Sequence, residues 1–130
     1  MSIEGEIKSY RDIVAWQKSM RLAREIYRVS AKWPKEELFG LISQVRRCAV
    51  SVPSNIAEGY GRRSPREFFR FLNIAYGSLM ELETQVILAG ELGFVSDKLR
   101  NEVLSIARET GMVLNGLIAV VRSKIEVASA

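Results

Sequence analysis

The chain has 130 residues and a formal net charge of +4, and its 48% hydrophobic and 26% charged residues are typical of one globular domain spanning residues 1–130. A single cysteine, Cys48, and the absence of histidine exclude an intramolecular disulfide, His-based catalysis and any metal site that needs imidazole. Because the N-terminus lacks the pattern of a signal peptide and no run of 18 apolar residues occurs, we expect a cytoplasmic chain without a membrane span.

Four segments repeat apolar residues every three or four positions, which is the period of an α-helix. They predict helices over residues 11–32, 37–58, 65–92 and 97–125. No segment shows the alternating pattern of a strand. Because the connections are short, consecutive helices should run antiparallel. The fold class is therefore all-α, an up-down-up-down antiparallel four-helix bundle.

Residues at the predicted helix ends agree with these boundaries. Asp12 is placed to cap the first helix or to lie in its first turn, and Ser64 to Glu67 has the pattern of a capping box with proline at the first helical position. Gly93 fits the left-handed turn that ends a helix, and Ser96 or Asp97 can cap the fourth.

Pro53 lies inside the second predicted helix and removes one backbone hydrogen bond, so we expect that helix to be kinked or broken there. A kink frees a carbonyl, and polar side chains that follow the proline can satisfy backbone groups. A charge beside the helix seam also needs an acidic partner. We therefore predict structural roles for five polar residues: Arg46, Asn55, Glu58, Glu81 and Glu83.

Catalysis and metal binding have little support. A carboxylate-only Mg²⁺ site at Glu58, Glu81 and Glu83 is an alternative to their structural role, but di-iron bundles combine glutamates with histidines, and this chain has none. Cys48 lacks a histidine to activate it and is expected to be an inert core thiol. We expect no enzymatic activity and no cofactor.

The third and fourth helices each carry two apolar stripes, where a small bundle needs one. The second stripe of the fourth helix occupies seven positions from Leu104 to Ile125 without a charge. One interpretation is a wide arc that faces the core. The other is a subunit interface, since exposed apolar patches of this size mark protein contacts. The predicted interface residues are Leu114, Ile118, Val121, Tyr76 and Met80.

Positive charge is concentrated in the first part of the chain. Residues 1–72 carry 14 Lys and Arg against 8 Asp and Glu, whereas residues 73–130 carry 5 against 7. Arginine supplies 13 of the 19 cations, and its guanidinium is suited to phosphate oxygens. The bias favours a polyanion as partner, and ordinary surface charge is the alternative.

Two segments are candidate surfaces for phosphate binding. The loop before the third helix brings arginines to a helix N-terminus, which itself attracts anions, and includes a tyrosine that could stack on a base. The first helix has cations along one half of its circumference. Both could equally be solvated surface. The predicted nucleic-acid-binding residues are Arg62, Arg63, Arg66, Tyr60, Lys18, Arg21, Arg24 and Arg28.

Several stretches resemble the four-helix-bundle proteins encoded in intervening sequences of bacterial 23S ribosomal RNA genes. The most specific is Ser51-Val52-Pro53-Ser54-Asn55-Ile56-Ala57-Glu58-Gly59, and the fourth helix agrees only in pattern. The other matching stretches are Asp12-Ile13, Trp16-Gln17-Lys18, Phe39-Gly40-Leu41, Gln44-Val45-Arg46-Arg47, Phe71-Leu72, Gly77-Ser78 and Glu81-Leu82-Glu83-Thr84-Gln85.

The resemblance implies a bundle that assembles as a ring, with a homopentamer favoured. Related accessory proteins of diversity-generating retroelements are basic pentamers that bind nucleic acid and partner a reverse transcriptase. The family has no established enzymatic activity. The leading hypothesis is therefore a non-enzymatic homo-oligomer that binds RNA or DNA through phosphate contacts. The alternative is an oligomeric scaffold or accessory subunit that binds a protein partner without touching nucleic acid.

Overall fold

The computed structural model describes residues 7–129. Within them the chain forms four long helices and no strand. The helices are α1 (Val14–Ser30), α2 (Leu41–Gly61), α3 (Pro65–Glu91) and α4 (Asp97–Ser129). Short 3₁₀ turns precede α1 and α2, at Tyr10–Asp12 and Lys35–Glu37.

Each helix packs against the next one in the chain, and α1 also packs against α4, which closes the bundle. The direction of α2 against α3 follows from two side-chain contacts. Gln85 donates to Gln44 over 3.5 Å near one end, and the Ser51 and Ser78 hydroxyls are 2.8 Å apart further along. Residue numbers rise on α2 as they fall on α3, so the helices are antiparallel. The predicted all-α four-helix bundle is confirmed.

Local capping signals explain where α3 and α4 begin. The Ser64 hydroxyl accepts a hydrogen bond from the Glu67 amide at 3.3 Å, and the Ser96 hydroxyl accepts one from the Leu99 amide at 3.2 Å. Only half of the predicted capping box forms, because the Glu67 carboxylate pairs with Arg70 at 3.0 Å.

The first two helices begin later than expected. The Asp12 carboxylate accepts from the amides of Lys8 and Ser9, so it closes the 3₁₀ turn in front of α1 and does not cap α1 itself. The Glu37 carboxylate accepts from the Leu41 amide at 3.0 Å. Residues 35–37 form a separate 3₁₀ turn. The Glu37–Leu41 contact therefore caps α2, which begins at Leu41.

Pro53 is buried within α2, and the helix continues through it to Gly61, so the alternative of a break is wrong.

The local backbone geometry requires glycine at two positions, Gly59 and Gly93. At Gly59 an added Cβ would lie 2.6 Å from the Cβ of Phe71, so only glycine allows α2 this close to α3. Gly93 has φ +80° just after α3, as its position predicted.

The core runs the length of the bundle and takes residues from all four helices. The predicted interface on α4 is wrong, because its residues Leu114, Ile118 and Val121 are buried in this core inside the monomer. The partly buried Tyr76 and Met80 pack against the same core. The physical reason is helix pitch. A straight helix repeats every 3.6 residues, so a seam of strict 3.5-residue spacing drifts off the core face over a long helix.

By length and composition alone, α4 could cross a membrane, and it is the one helix in the described residues that could. A single such helix is weak evidence, since core helices of soluble proteins meet the same criterion. Here 33% of the most apolar stretch is buried inside the bundle.

Leu114 and Met112 give a direct test of the reassigned face. Leu114→Ala should lower the free energy of unfolding by about 2–5 kcal/mol, because it leaves a cavity in the core. The matched control is Met112→Ala, on the same helix at 71% exposure, which should change the free energy of unfolding by less than about 0.5 kcal/mol. Urea unfolding followed by circular dichroism measures both. Equal effects of the two substitutions would contradict the assignment.

Candidate nucleic-acid interface

Positive charge is concentrated at the end of the bundle where α1 and α3 begin and α2 and α4 end. We call this the basic end and define it as residues 7–12, 58–70 and 122–129. Within the described chain, eight cations lie there: Lys8, Arg11, Arg62, Arg63, Arg66, Arg70, Arg122 and Lys124. Four carboxylates accompany them: Asp12, Glu58, Glu67 and Glu126.

The opposite end, residues 31–40 and 91–100, is balanced. Its four cations are Lys32, Lys35, Lys98 and Arg100, and its four carboxylates are Glu36, Glu37, Glu91 and Asp97. The asymmetry therefore belongs to one end of the fold. An electrostatic field of this kind attracts an anionic polymer to that end.

The loop arginines are exposed and held in different ways. Arg62 pairs with Glu58 at 2.8 Å, with its guanidinium 5.2 Å from the centre of the Phe71 ring. Arg66 donates to the Ser129 hydroxyl at 2.9 Å, which links the start of α3 to the end of α4. Arg63 has φ +57° and makes the left-handed turn between α2 and α3. The fold thus brings the three predicted arginines together.

Two features of the predicted loop site, base stacking by Tyr60 and anion binding at the N-terminus of α3, are not available in the structure. The Tyr60 ring is partly buried and meets the Phe68 ring edge-on at 6.0 Å, so it is not presented for stacking on a base. The N-terminus of α3 is also largely satisfied, because Ser64 caps it, Pro65 has no N–H, and Glu67 places a carboxylate in the first turn. Of the loop site predicted from the sequence, the arginine side chains remain.

The cations of α1 do not join this loop. Lys18 pairs with Glu109 of α4, and Arg28 pairs with Glu25, and these contacts lower the pKa of both carboxyl groups. Arg21 lies close enough to act electrostatically on the same two carboxylates. The predicted α1 stripe is thus partly neutralised, by Glu25 on α1 itself and by Glu109 of α4, which the helical pattern of α1 alone does not show.

Arg24 faces the other way, into a long apolar groove between α1 and α2, which sequence reasoning missed. Two adjoining depressions that share Tyr27 and Val50 make up this α1–α2 groove. At one end Phe39 is 94% exposed. The second predicted helix, residues 37–58, includes Phe39 and gives no sign of this exposure. The other lining residues are Tyr10, Trp16, Met20, Ala23, Leu38, Ile42, Ser43, Arg46, Arg47, Ser51, Pro53, Ser54 and Ala57.

Arg46 has a structural role, but its partners are not acidic. It donates to the Ser30 hydroxyl at 2.9 Å and to the Tyr27 carbonyl at 3.2 Å, with its guanidinium 4.6 Å from the centre of the Tyr27 ring. The acidic partner expected for a charge beside the helix seam is not found for Arg46 among the described residues, and Glu58 pairs with Arg62, one helical turn further along α2. Arg46 therefore joins α2 to the end of α1.

Asn55 contacts the α2 backbone at Ser51, whereas the carbonyl that Pro53 leaves without its helical donor is that of Ala49. Its amide donates to the Ser51 carbonyl at 2.8 Å and to the Ser51 hydroxyl at 2.9 Å. The Ser51 hydroxyl also contacts Ser78 of α3 at 2.8 Å. A polar network across the α2–α3 contact results, at the helical turn that contains Pro53.

The three candidate metal-binding glutamates are dispersed. Glu81 lies 3.8 Å from the Cys48 sulfur, Glu58 lies at the basic end, and burial raises the pKa of Glu83 against the opposing effect of Arg108. Burial, with Glu81 next, also raises the pKa of the Cys48 thiol, which disfavours the reactive thiolate. The described residues contain no cluster of three side chains that could hold a metal ion.

Residues 11–116 match the family described as 23S rRNA-intervening sequence protein. The chain belongs to this family. A crystal structure of a protein with unknown function from the S23 ribosomal protein family of Bacteroides thetaiotaomicron VPI-5482 is similar to this bundle, with a TM-score of 0.76 and 23% identity. The alignment covers 82% of this chain and 96% of that one, and at this identity it shows the fold alone. No curated protein matches the chain.

Membership of the intervening-sequence family confirms the resemblance drawn from the Ser51–Gly59 stretch. Two of the four polar residues in that stretch and its glycine contribute to helix packing here. Ser51 and Asn55 form the α2–α3 network, while Gly59 allows the close approach of the two helices. The stretch is therefore a signature of how this bundle packs.

The polar contacts of α2 differ in how much stability they should contribute. Arg46→Lys should cost about 1–3 kcal/mol in the free energy of unfolding, because lysine lacks the guanidinium fork and leaves the buried Ser30 hydroxyl without its donor. Glu58→Ala should cost less than about 1 kcal/mol, since the Glu58–Arg62 pair is half exposed. Urea unfolding compares them, and a larger loss for Glu58→Ala would overturn this ranking.

Proposed function

We propose that this intervening-sequence protein is a non-enzymatic, cytoplasmic homo-oligomer that binds RNA or DNA through phosphate contacts at its basic end. The observation that carries the proposal is the surplus of cations over carboxylates at that end, against the balance at the other. Charge spread evenly over the surface would give no such asymmetry.

Arg62, Arg63 and Arg66 are the proposed phosphate ligands. Their present contacts are weak enough to exchange, because a half-exposed ion pair such as Glu58–Arg62 contributes at most about 1 kcal/mol. A backbone phosphodiester offers each guanidinium a bidentate acceptor with one negative charge, and neighbouring phosphates along the strand add to the attraction. Contacts of this kind position a nucleic acid without reading its bases, so binding should be largely independent of sequence.

Self-association is proposed to use the α1–α2 groove, since the stripe on α4 is buried. The groove is apolar and is flanked by Arg24, Arg46 and Arg47, and no carboxylate lines it among the described residues. The last part of the chain, residues 73–130, carries 7 acidic against 5 basic residues. A second copy can therefore complement the groove with an α3–α4 face, where Ile74 of α3 is exposed.

Contact between two different faces of identical subunits repeats around a ring when the rotation closes. A pentamer is the closed form that the family resemblance favours. Each copy would add one basic end to the assembly. Several weak phosphate contacts then combine through effective concentration, so that a subunit of modest net charge can hold a long polyanion.

Nucleic-acid binding is tested with single-stranded and duplex RNA and DNA of mixed sequence. Fluorescence anisotropy should show affinity that falls by orders of magnitude between ~50 and ~200 mM salt. Changing Arg62, Arg63 and Arg66 together to Ala should weaken binding and flatten the salt slope. The matched control changes Lys32, Lys35 and Lys98 to Ala at the balanced end, and should leave both nearly unchanged. Equal losses in the two triple variants would contradict the proposed site.

Self-association is tested by light scattering at micromolar concentration. The wild type should have a mass several times that of the 14.7 kDa subunit. Phe39→Glu should dissociate it, because an unpaired carboxylate in an apolar contact costs several kcal/mol, by an estimate of roughly 2–7 kcal/mol for a polar group. Val127→Glu, at an exposed position outside the groove, is the control. A wild-type monomer would refute this assignment of the groove.

The α1–α2 groove is also the observation that favours the second candidate function, an oligomeric scaffold or accessory subunit that binds a protein partner. An acidic amphipathic helix would satisfy both its apolar lining and its arginines. Absence of nucleic-acid binding at low salt, together with assembly that Phe39→Glu leaves intact, would place this function first, because the groove would then be free for the partner.

A further inference from the structure

Four of the six arginines at the basic end lie over aromatic rings. One ring, that of Phe71 in α3, has two of them, with the guanidinium carbons of Arg62 and Arg70 at 5.2 and 4.5 Å from its centre. Among the described residues no contact of this kind lies at the balanced end. The other two pairs at the basic end are Arg11 with Tyr10 and Arg122 with Phe69.

The Phe71 ring is a fixed support for these two arginines. Its side chain is buried, and a Cβ added to the facing Gly59 would lie 2.6 Å from its own Cβ, so α2 and α3 are in close contact here. Arg62 reaches the ring from the end of α2, and Arg70 reaches it from α3. Both guanidinium carbons lie within 5.2 Å of one point, so they are at most about 10 Å apart.

A guanidinium has a flat face and an edge of N–H donors, and Arg70 uses both at once. Its face lies over Phe71, while Nε and Nη2 donate to the two oxygens of the Glu67 carboxylate at 3.0 and 3.3 Å. Arg62 likewise donates to Glu58 at 2.8 Å. The contact with the ring therefore leaves the edge free to meet an anion, and one anion can replace another without breaking it.

We propose that Phe71 is a positioning residue of the nucleic-acid site, and that Arg70 is a fourth phosphate ligand, beside Arg62. This role rests on the proposed function. The carboxylates of Glu58 and Glu67 are exposed, and exposed ion pairs contribute little stability, so phosphodiesters can displace them. The two cations fit neighbouring phosphates of one strand, which follow each other at about 3.4 Å along the axis of a duplex.

The ring matters because ordering a long side chain opposes binding. An arginine that left its carboxylate and moved freely in water would lose that freedom again on the phosphate, which weakens the complex. An arginine that stays over Phe71 has already lost most of it. The ring thus improves affinity without adding a charge, and this separates its effect from that of a phosphate ligand.

Positioning is measured first by NMR on the free chain. The Nε–H signals of Arg62 and Arg70 should be shifted by the ring current of Phe71, and Phe71→Leu should remove that shift. Phe68→Leu is the matched control, three residues earlier on α3, because the Phe68 ring meets Tyr60. It should leave both signals in place. Unshifted signals in the wild type would overturn the positioning role.

Binding of duplex DNA of mixed sequence is then measured by fluorescence anisotropy from ~50 to ~200 mM salt. Phe71→Leu should raise the Kd about five- to tenfold, because two side chains must now be ordered on binding. The slope of log Kd against log salt should not change, since both cations remain. A trifluorinated phenylalanine at position 71, which weakens the negative face of the ring at nearly the same shape, should act in the same direction. Circular dichroism checks that the helices remain.

Arg70→Gln tests the fourth ligand. It should weaken binding and make the salt slope shallower, because one phosphate contact per subunit is lost. The matched control is Arg100→Gln at the balanced end, which removes a similar pair, with Asp97 at 3.3 Å. It should change neither the affinity nor the slope. Equal effects of the two substitutions would refute the assignment of Arg70.

The outcomes separate this proposal from the proposed function. If the wild type binds and both variants at Phe71 bind equally tightly, the positioning role is wrong and the proposed function stands. A shallower salt slope in Phe71→Leu would also overturn the role, because a phosphate contact would then have been lost. Absence of binding by the wild type at low salt would refute the proposed function, and this proposal with it.

Discussion

The basic end depends on how closely α2 and α3 approach each other at Gly59. An added Cβ there would lie 2.6 Å from the Cβ of Phe71, so the absence of a side chain fixes the separation of the two helices. The close approach brings Phe71 beneath the guanidiniums of Arg62 and Arg70, whose centres lie 5.2 and 4.5 Å from the centre of its ring. It also leaves few residues for the turn, which Arg63 closes in a left-handed conformation. A packing constraint inside the bundle thus decides where the arginines are presented.

Some charged side chains of the bundle pair with each other across helices, and others remain exposed at one end, where they could contact an anion. Across the α1–α4 contact, cations meet carboxylates from a distant part of the sequence, as Lys18 meets Glu109. Such exposed pairs contribute little stability, but they partly neutralise the charge of the α1 stripe. At the basic end the carboxylates are too few for such cancellation. Net charge alone is therefore a poor predictor of where a polyanion would bind, because its effect depends on which cations pair with carboxylates in the fold.

Local signals in the sequence predicted the elements well. Ser64 and Pro65 mark the start of α3, and Gly93 marks the turn after it, because caps and left-handed turns depend on a few adjacent residues. The face of α4 was not decided, since two neighbouring stripes are equally apolar and only the exact helical pitch selects between them. The partner of Lys18 lies 91 residues away, so no local pattern reveals it. Nor does the identity of Phe39 show that its side chain stays outside the core.

The groove and the basic end occupy different parts of the bundle, and this has a consequence for assembly. The α1–α2 groove runs along the helices from Phe39 to Tyr10, whereas the basic end lies across one tip. Subunits joined side by side through the groove under cyclic symmetry would have parallel bundles. Their basic ends would then all lie on the same side of the ring. An assembly of this kind converts a charge difference between two ends of one subunit into a single positive face, while its opposite face stays balanced.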